Sequence, residues 1–141
     1  MKNPQYKFQF ARELIALCKK HKKPISEMII RYEQEHSGKS RNEIYNKMRK
    51  VKEAMDGAIK NGVKSHEKDA YGLAGGDAPK LFAAYKKRKR SKKVMCSSLL
   101  VLKAMAYATA TGETNACMGR IVAFPTAGGS GVVPGVVFSY A

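Results

Sequence analysis

The residues best placed to do chemistry lie in one run, Asn115-Ala-Cys-Met-Gly-Arg-Ile-Val-Ala-Phe-Pro-Thr-Ala-Gly-Gly-Ser-Gly-Val-Val-Pro-Gly135. Its apolar part, Gly119 to Phe124, leads into a stretch with glycines at 128, 129 and 131 around Ser130. Glycine lets backbone approach a ligand closely. Glycine amides opening into a helix make a ready anion site, because the first amides of a helix have no internal partners. A tight strand-to-helix turn without a ligand has the same spacing, and both readings stand. The order Gly128-Gly129-Ser130-Gly131 is not the G-x-G-x-x-G of a dinucleotide site. A second glycine cluster, Gly72-Leu-Ala-Gly-Gly-Asp-Ala78, precedes a short apolar-periodic segment, and Asp77 suits the N-cap of a helix there. Gly38-Lys39-Ser40 resembles the end of a phosphate-binding loop, but Glu33 stands where that motif needs its first glycine. Cys18, Cys96 and Cys117 are far apart, with no C-x-x-C pair, and offer no metal motif of their own.

Helices must carry these residues. Gln9 to His21 places Phe10, Leu14, Leu17 and Cys18 on one face, with Lys19, Lys20 and His21 at the negative end of its dipole. Pro24 opens a second helix that turns Met28, Ile29 and Tyr32 inward and runs out at Ser37-Gly38. Ser40 with Glu43 reads as a capping box. The helix it starts carries Ile44, Met48, Val51, Met55, Ala58 and Ile59 on one stripe and stops at Asn61-Gly62. Residues 1–62 are thus expected to form three helices packed together, and 63–141 the part bearing the glycine motifs. In that part, a short helix holds Leu81, Phe82 and Tyr85, and His66 sits in a solvated loop. Val94 to Thr111 forms a long helix with Leu99, Leu102, Met105 and Ala106 inward, ended by Gly112. Val132 to Tyr140 begins an apolar helix with Pro134 in its first turn. A helix apolar all round expects burial on every side, which points to a larger domain of which these residues are part.

At 141 residues, 44% hydrophobic, the chain is long enough to bury roughly two-thirds of its unfolded surface. The formal charge of +16 suggests affinity for polyanions or an acidic partner. Lys86-Lys-Arg-Lys-Arg-Ser-Lys-Lys93 has seven positive charges in eight residues. Such a run serves as a nucleic-acid patch or, more often, a solvated connector, and no recognition helix or RNA-binding motif accompanies it. No secretory leader is evident, and no stretch reaches the roughly 18 apolar residues of a membrane helix, so a cytoplasmic location is expected and no membrane partner.

The wording of both glycine motifs resembles the α unit of iron–sulfur-dependent L-serine dehydratase (L-serine ammonia-lyase). Asn115-Ala-Cys-Met-Gly-Arg-Ile-Val-Ala-Phe-Pro-Thr-Ala-Gly128 is similar to that family's signature, Gly72 to Ala78 to its second glycine motif, and Glu13 to Gly62 to its helical N-terminal part. The resemblance implies a mainly α domain with glycine-rich loops between helices, acting with a β unit and the remaining α-unit residues to convert L-serine to pyruvate and ammonia. It also implies a [4Fe-4S] cluster held by three cysteine thiolates, one from a Pro-Thr-Ala-Gly-x-Cys-Gly run. Here that run is Pro125-Thr-Ala-Gly-Gly-Ser-Gly131, so the metal-ligand position is Ser130, a hard neutral hydroxyl where soft sulfur is expected. This chain alone is therefore expected to be inactive, incomplete or degenerate at the cluster. From chemistry and resemblance together, Gly75, Gly76 and Asp77 on one side and Asn115, Thr126, Ala127 and Gly128 on the other are candidate substrate-binding residues. Their backbone amides would hold the serine carboxylate, with the Asn115 and Thr126 side chains as donors. A basic module binding nucleic acid, or a non-catalytic scaffold, is the alternative. The nucleic-acid module accounts for the charge and the Lys86–Lys93 run but leaves both glycine motifs unexplained.

Overall fold

The computed structural model describes residues 5–91 and 98–141, which form six α-helices and, among those residues, no strand. These are α1 (Ala11–His21), α2 (Ile25–Ser37), α3 (Arg41–Gly62), α4 (Asp77–Arg90), α5 (Leu99–Ala116) and α6 (Gly129–Tyr140). The chain is mainly α, and it divides into two compact units, Met1–Lys50 and Val51–Ala141. The division falls inside α3 rather than at its end at Gly62.

In the first unit the local signals set the helix ends. The Glu13 carboxylate accepts the amides of Gln9 and Phe10 at 2.7 and 3.2 Å, which places the start of α1 at Ala11. Pro24 is the extended residue before α2 (φ −68, ψ 162), and Gly38 at φ 67 ends it with its amide on the Gln34 carbonyl. Ser40 and Glu43 form the capping box: the Ser40 amide donates to Glu43 Oε2 at 2.8 Å and the Glu43 amide to Ser40 Oγ at 3.3 Å. Helices α1 and α2 pack on each other. Two helices bury only a narrow stripe, so Met28 is 1% exposed whereas Ile29 and Phe10, both expected inward, face water. Met48 on α3 is likewise exposed, and the stripe of that helix is buried only from Met55 onward.

The Glu27 carboxylate takes Arg31 at 3.1 Å and Arg41 at 2.9 Å, tying α2 to the first residue of α3. Hydrogen bonds from Arg41, then Arg31, lower its pKa from 4.5 to about 2. A carboxylate depressed in the folded state adds stability above its unfolded pKa and loses it as pH falls through the folded value. Acidification from about pH 5 toward pH 2 is therefore expected to lower the melting temperature less in Glu27→Gln than in the parent chain. Equal slopes in thermal melts across that range would refute the role given to Glu27.

In the second unit α5 packs against both α4 and α6. Small residues set the spacing. Ala106 and Ala110 on α5 are fully buried, and Gly131 and Gly135 of α6 lie against Ala108 and Ala104 so closely that a Cβ on Gly135 would come within 2.9 Å of the Ala104 carbonyl oxygen. Lys103 Nζ donates to the Ser139 carbonyl at 2.9 Å, placing a cation at the negative end of α6. Buried Met55, Ala58 and Ile59 of α3 and Ala78 of α4 belong to the same core. Met105 and Leu99, expected inward, are exposed.

Four further expectations change. The basic run is helical through Arg90, not a connector, because Lys and Arg are good helix formers and suit a C-terminal turn; Lys92 and Lys93 lie outside the described residues. Helix α5 passes through Gly112 and ends at Ala116; its start, expected at Val94, is capped by Ser98, whose Oγ accepts the Val101 amide, and residues 94–97, Cys96 among them, lie outside the described residues. The apolar run from Gly119 to Phe124 is not a strand. Helix α6 starts at Gly129, so Ser130 and Gly131 are helical and Pro134 lies inside the helix rather than in its first turn.

Candidate functional site

The two motifs meet the second unit at helix ends. Helix α4 begins at Asp77, after Gly75 (φ 115) and Gly76 (φ 85). Its N-cap is Gly76, which has no side chain, and Asp77 does not cap. Instead Asp77 pairs with Lys80 at 2.8 Å, and that ammonium holds its carboxyl below the usual aspartate value. The cap is supplied by Glu113 of α5. Its carboxylate accepts the Gly76 amide at 3.0 Å, the Asp77 amide at 2.8 Å and the Ala78 amide at 3.2 Å. Charge-assisted bonds to orphan amides at the positive end of a helix are among the stronger ones available.

Helix α5 closes with a Schellman arrangement. The Gly119 amide donates to the Thr114 carbonyl at 2.7 Å and the Met118 amide to the Asn115 carbonyl at 3.0 Å, with Met118 in the left-handed region at φ 60. Asn115 is exposed in this last turn, and Met118 is 93% exposed. Cys117 is half-buried with Sγ 3.8 Å from the Glu67 carbonyl. A cavity of about 150 Å³ opens between Asn61, Ser65, Glu67, Glu113 and Cys117.

The remaining candidates sit at the start of α6. After a cis Phe124–Pro125 bond, the Thr126 carbonyl accepts the amides of Phe124 and Gly129, both at 3.1 Å. The Ala127 carbonyl accepts both the Ser130 amide at 3.1 Å and the Ser130 hydroxyl at 2.6 Å. Among the described residues, the amides of Ala127, Gly128 and Gly131 have no acceptor. Thr126, Ala127 and Gly128 are exposed, while Ser130 is 7% exposed. Helix α6 packs on α5 with Gly131 against Ala108 and Gly135 against Ala104 and Ala108, an antiparallel register that puts its start toward the C-terminal half of α5. Asn115, Gly76 and Asp77 are thus gathered at the last turn of α5, and Thr126 to Ser130 form a second group. Among the described residues no hydrogen bond joins the two.

One family model spans both motifs. The profile described as serine dehydratase alpha chain covers residues 20–141. The chain belongs to the serine dehydratase α-chain family. A Bacillus subtilis protein named probable L-serine dehydratase, alpha chain, is 38% identical over 132 residues, 94% of this chain and 42% of its own length. The L-serine dehydratase alpha chain of Peptoniphilus asaccharolyticus is 32% identical over 127 residues, 90% of this chain and 42% of that protein. A Helicobacter pylori L-serine dehydratase is 33% identical over 134 residues and is covered to 28%. The chain spans about two-fifths of the first two relatives' length.

The family resemblance implies a cluster ligand at position 130, and the residues present do not fit one. The Ser130 hydroxyl is turned back onto the Ala127 carbonyl. Cys117, just past the end of α5, turns its Sγ to the Glu67 carbonyl between α3 and α4, and Cys18 belongs to the other unit. Among the described residues no group of three or more Cys, His, Asp or Glu is placed to hold a metal. Also among them, no helix is long and apolar enough to cross a membrane. Sequence reasoning missed Glu113, because its partners lie 35 to 37 positions away and no local pattern announces them.

Proposed function

We propose that this chain is the N-terminal part of an L-serine dehydratase α unit, which with the rest of the α unit and a β unit converts L-serine to pyruvate and ammonia in the cytoplasm. The observation that carries this is the family match across both glycine motifs, residues 20–141. The chain's own contribution is to bind and orient substrate. The open amides of Ala127, Gly128 and Gly131, at the positive end of α6, take the serine carboxylate, and Asn115 and Thr126 donate side-chain hydrogen bonds. Gly75, Gly76 and Asp77 support that site rather than touch substrate, since Glu113 already occupies the amides of Gly76 and Asp77. Any [4Fe-4S] cluster must draw its thiolates from outside the described residues.

The test is pyruvate formation from L-serine by the complete enzyme after anaerobic iron and sulfide reconstitution. Thr126→Ala and Asn115→Ala are expected to raise KM about tenfold each, the scale of one hydrogen bond to a charged group. Ser130→Cys is expected to raise bound iron. No pyruvate from either the parent or the Ser130→Cys enzyme, together with salt-sensitive DNA binding, would overturn the reading in favour of a polyanion-binding module.

A further inference from the structure

The last two turns of α5 touch α3, the start of α4 and the loop that follows α5 itself. At Ala110 the backbone lies against Gly62, where a Cβ would come within 2.7 Å of the Ala110 Cα. Glu113 closes the start of α4. Thr114 Oγ1 donates to the Ala58 carbonyl of α3 at 3.0 Å. Asn115 follows, and the Thr114 carbonyl then receives Gly119. Of these ties only the one through Glu113 reaches the Gly72–Ala78 motif by a side chain.

We propose that Glu113 is a positioning residue of the dehydratase site, its carboxylate locking α4 to the turn of α5 that carries Asn115. The proposal rests on the functional reading above. Successive residues on a helix are turned by about 100°, so Glu113 and Asn115 point roughly 200° apart. One side of the turn is thus anchored on α4 while the other stays open to solvent. Four hydrogen bonds from three amides to one carboxylate fix the turn in rotation as well as position, because both oxygens are engaged: Oε1 by Asp77 and Ala78, Oε2 by Gly76 and Ala78. Releasing them frees the turn to rotate and carries the Asn115 side chain and the following 117–128 segment with it.

The experiment uses the complete enzyme with Glu113→Gln, Glu113→Asp and Glu113→Ala, assayed well below the melting point of the weakest variant. Hydrogen exchange at Gly76, Asp77 and Ala78 reports the lock, and L-serine kinetics per folded molecule report the site. Glu113→Gln keeps the shape and one acceptor oxygen and loses the charge. It is expected to speed exchange at the three amides and raise KM for L-serine about tenfold, within the hundredfold that a 1 Å misplacement can cost. Glu113→Ala is expected to do both more strongly, and Glu113→Asp to fall short of Gln in neither. Faster exchange with unchanged KM and kcat in all three variants would make Glu113 a stability device only and overturn the proposal. Unchanged exchange would remove the lock itself. An inactive parent enzyme that still shows protected amides at 76–78 would instead sink the dehydratase reading while leaving the lock in place.

Discussion

Gly75→Ala is expected to destabilise the second unit by about 3 kcal/mol, from two costs that add at one position. Gly75 sits at φ 115, a conformation that L side chains rarely adopt, and a Cβ there would lie inside the van der Waals shell of the Glu67 carbonyl oxygen and 3.1 Å from Lys68 Cα. Those neighbours are backbone and cannot turn aside. Gly76 separates the two costs. It is also left-handed, at φ 85, but its nearest neighbour to an added Cβ is 3.9 Å away, so Gly76→Ala should cost only about 1 to 2 kcal/mol, from backbone strain alone. Urea unfolding of the two variants checks the difference. Equal losses would mean that the Glu67 contact has no part in holding the 67–76 segment.

Gly62→Ala is the second large effect, and it acts by contact alone. No left-handed backbone is involved, but the added methyl would meet the Ala110 carbonyl carbon at 2.6 Å and its Cα at 2.7 Å. Relief requires α3 and α5 to separate, which would also lengthen the Thr114–Ala58 bond. Overpacking of this kind typically costs 1 to 3 kcal/mol, and here about 3 because both sides are main chain. Gly57→Ala is the matched control five residues earlier on the same helix. Nothing lies within 4 Å of its Cβ position, so removing a mid-helix glycine should gain about 0.5 to 1 kcal/mol. Two variants of opposite sign on one helix leave little room for a global explanation. A neutral Gly62→Ala would show that the α3–α5 approach is looser than its geometry implies.

How much of this was legible beforehand follows the range of the signals. The Ser40–Glu43 box, the ending at Gly38 and the role of Pro24 all lie within three or four residues and were readable. So was the mainly α class, and the buried end of the α3 stripe at Met55, Ala58 and Ile59. Gly112 misled because a glycine stops a helix only when the backbone there turns left-handed; Gly112 does not, and the turn falls to Met118 instead. The Lys86–Arg90 run misled because Lys and Arg, for all their charge, are good helix formers. Asp77 misled for a different reason. Its type and place suit a cap, but a carboxylate on another helix reaches the same amides, and Asp77 takes Lys80. At the site the candidate residues were readable from wording, whereas their division into an open group on α6 and an occupied group on α4 depends on contacts across more than thirty positions.

That distant cap has a consequence for the order in which the chain assembles. A helix nucleus is costly, and the N-cap of α4 is Gly76, which has no side chain to help it. The residue that completes its first turn is Glu113, so as the chain emerges from the ribosome α4 waits for nearly all of α5 to be made. Its crowded positive charges at Lys86 to Arg90 repel one another meanwhile. Helices α4 and α5 therefore mature as a pair, and the glycine motif between α3 and α4 takes its shape after the helix that follows it in sequence rather than before.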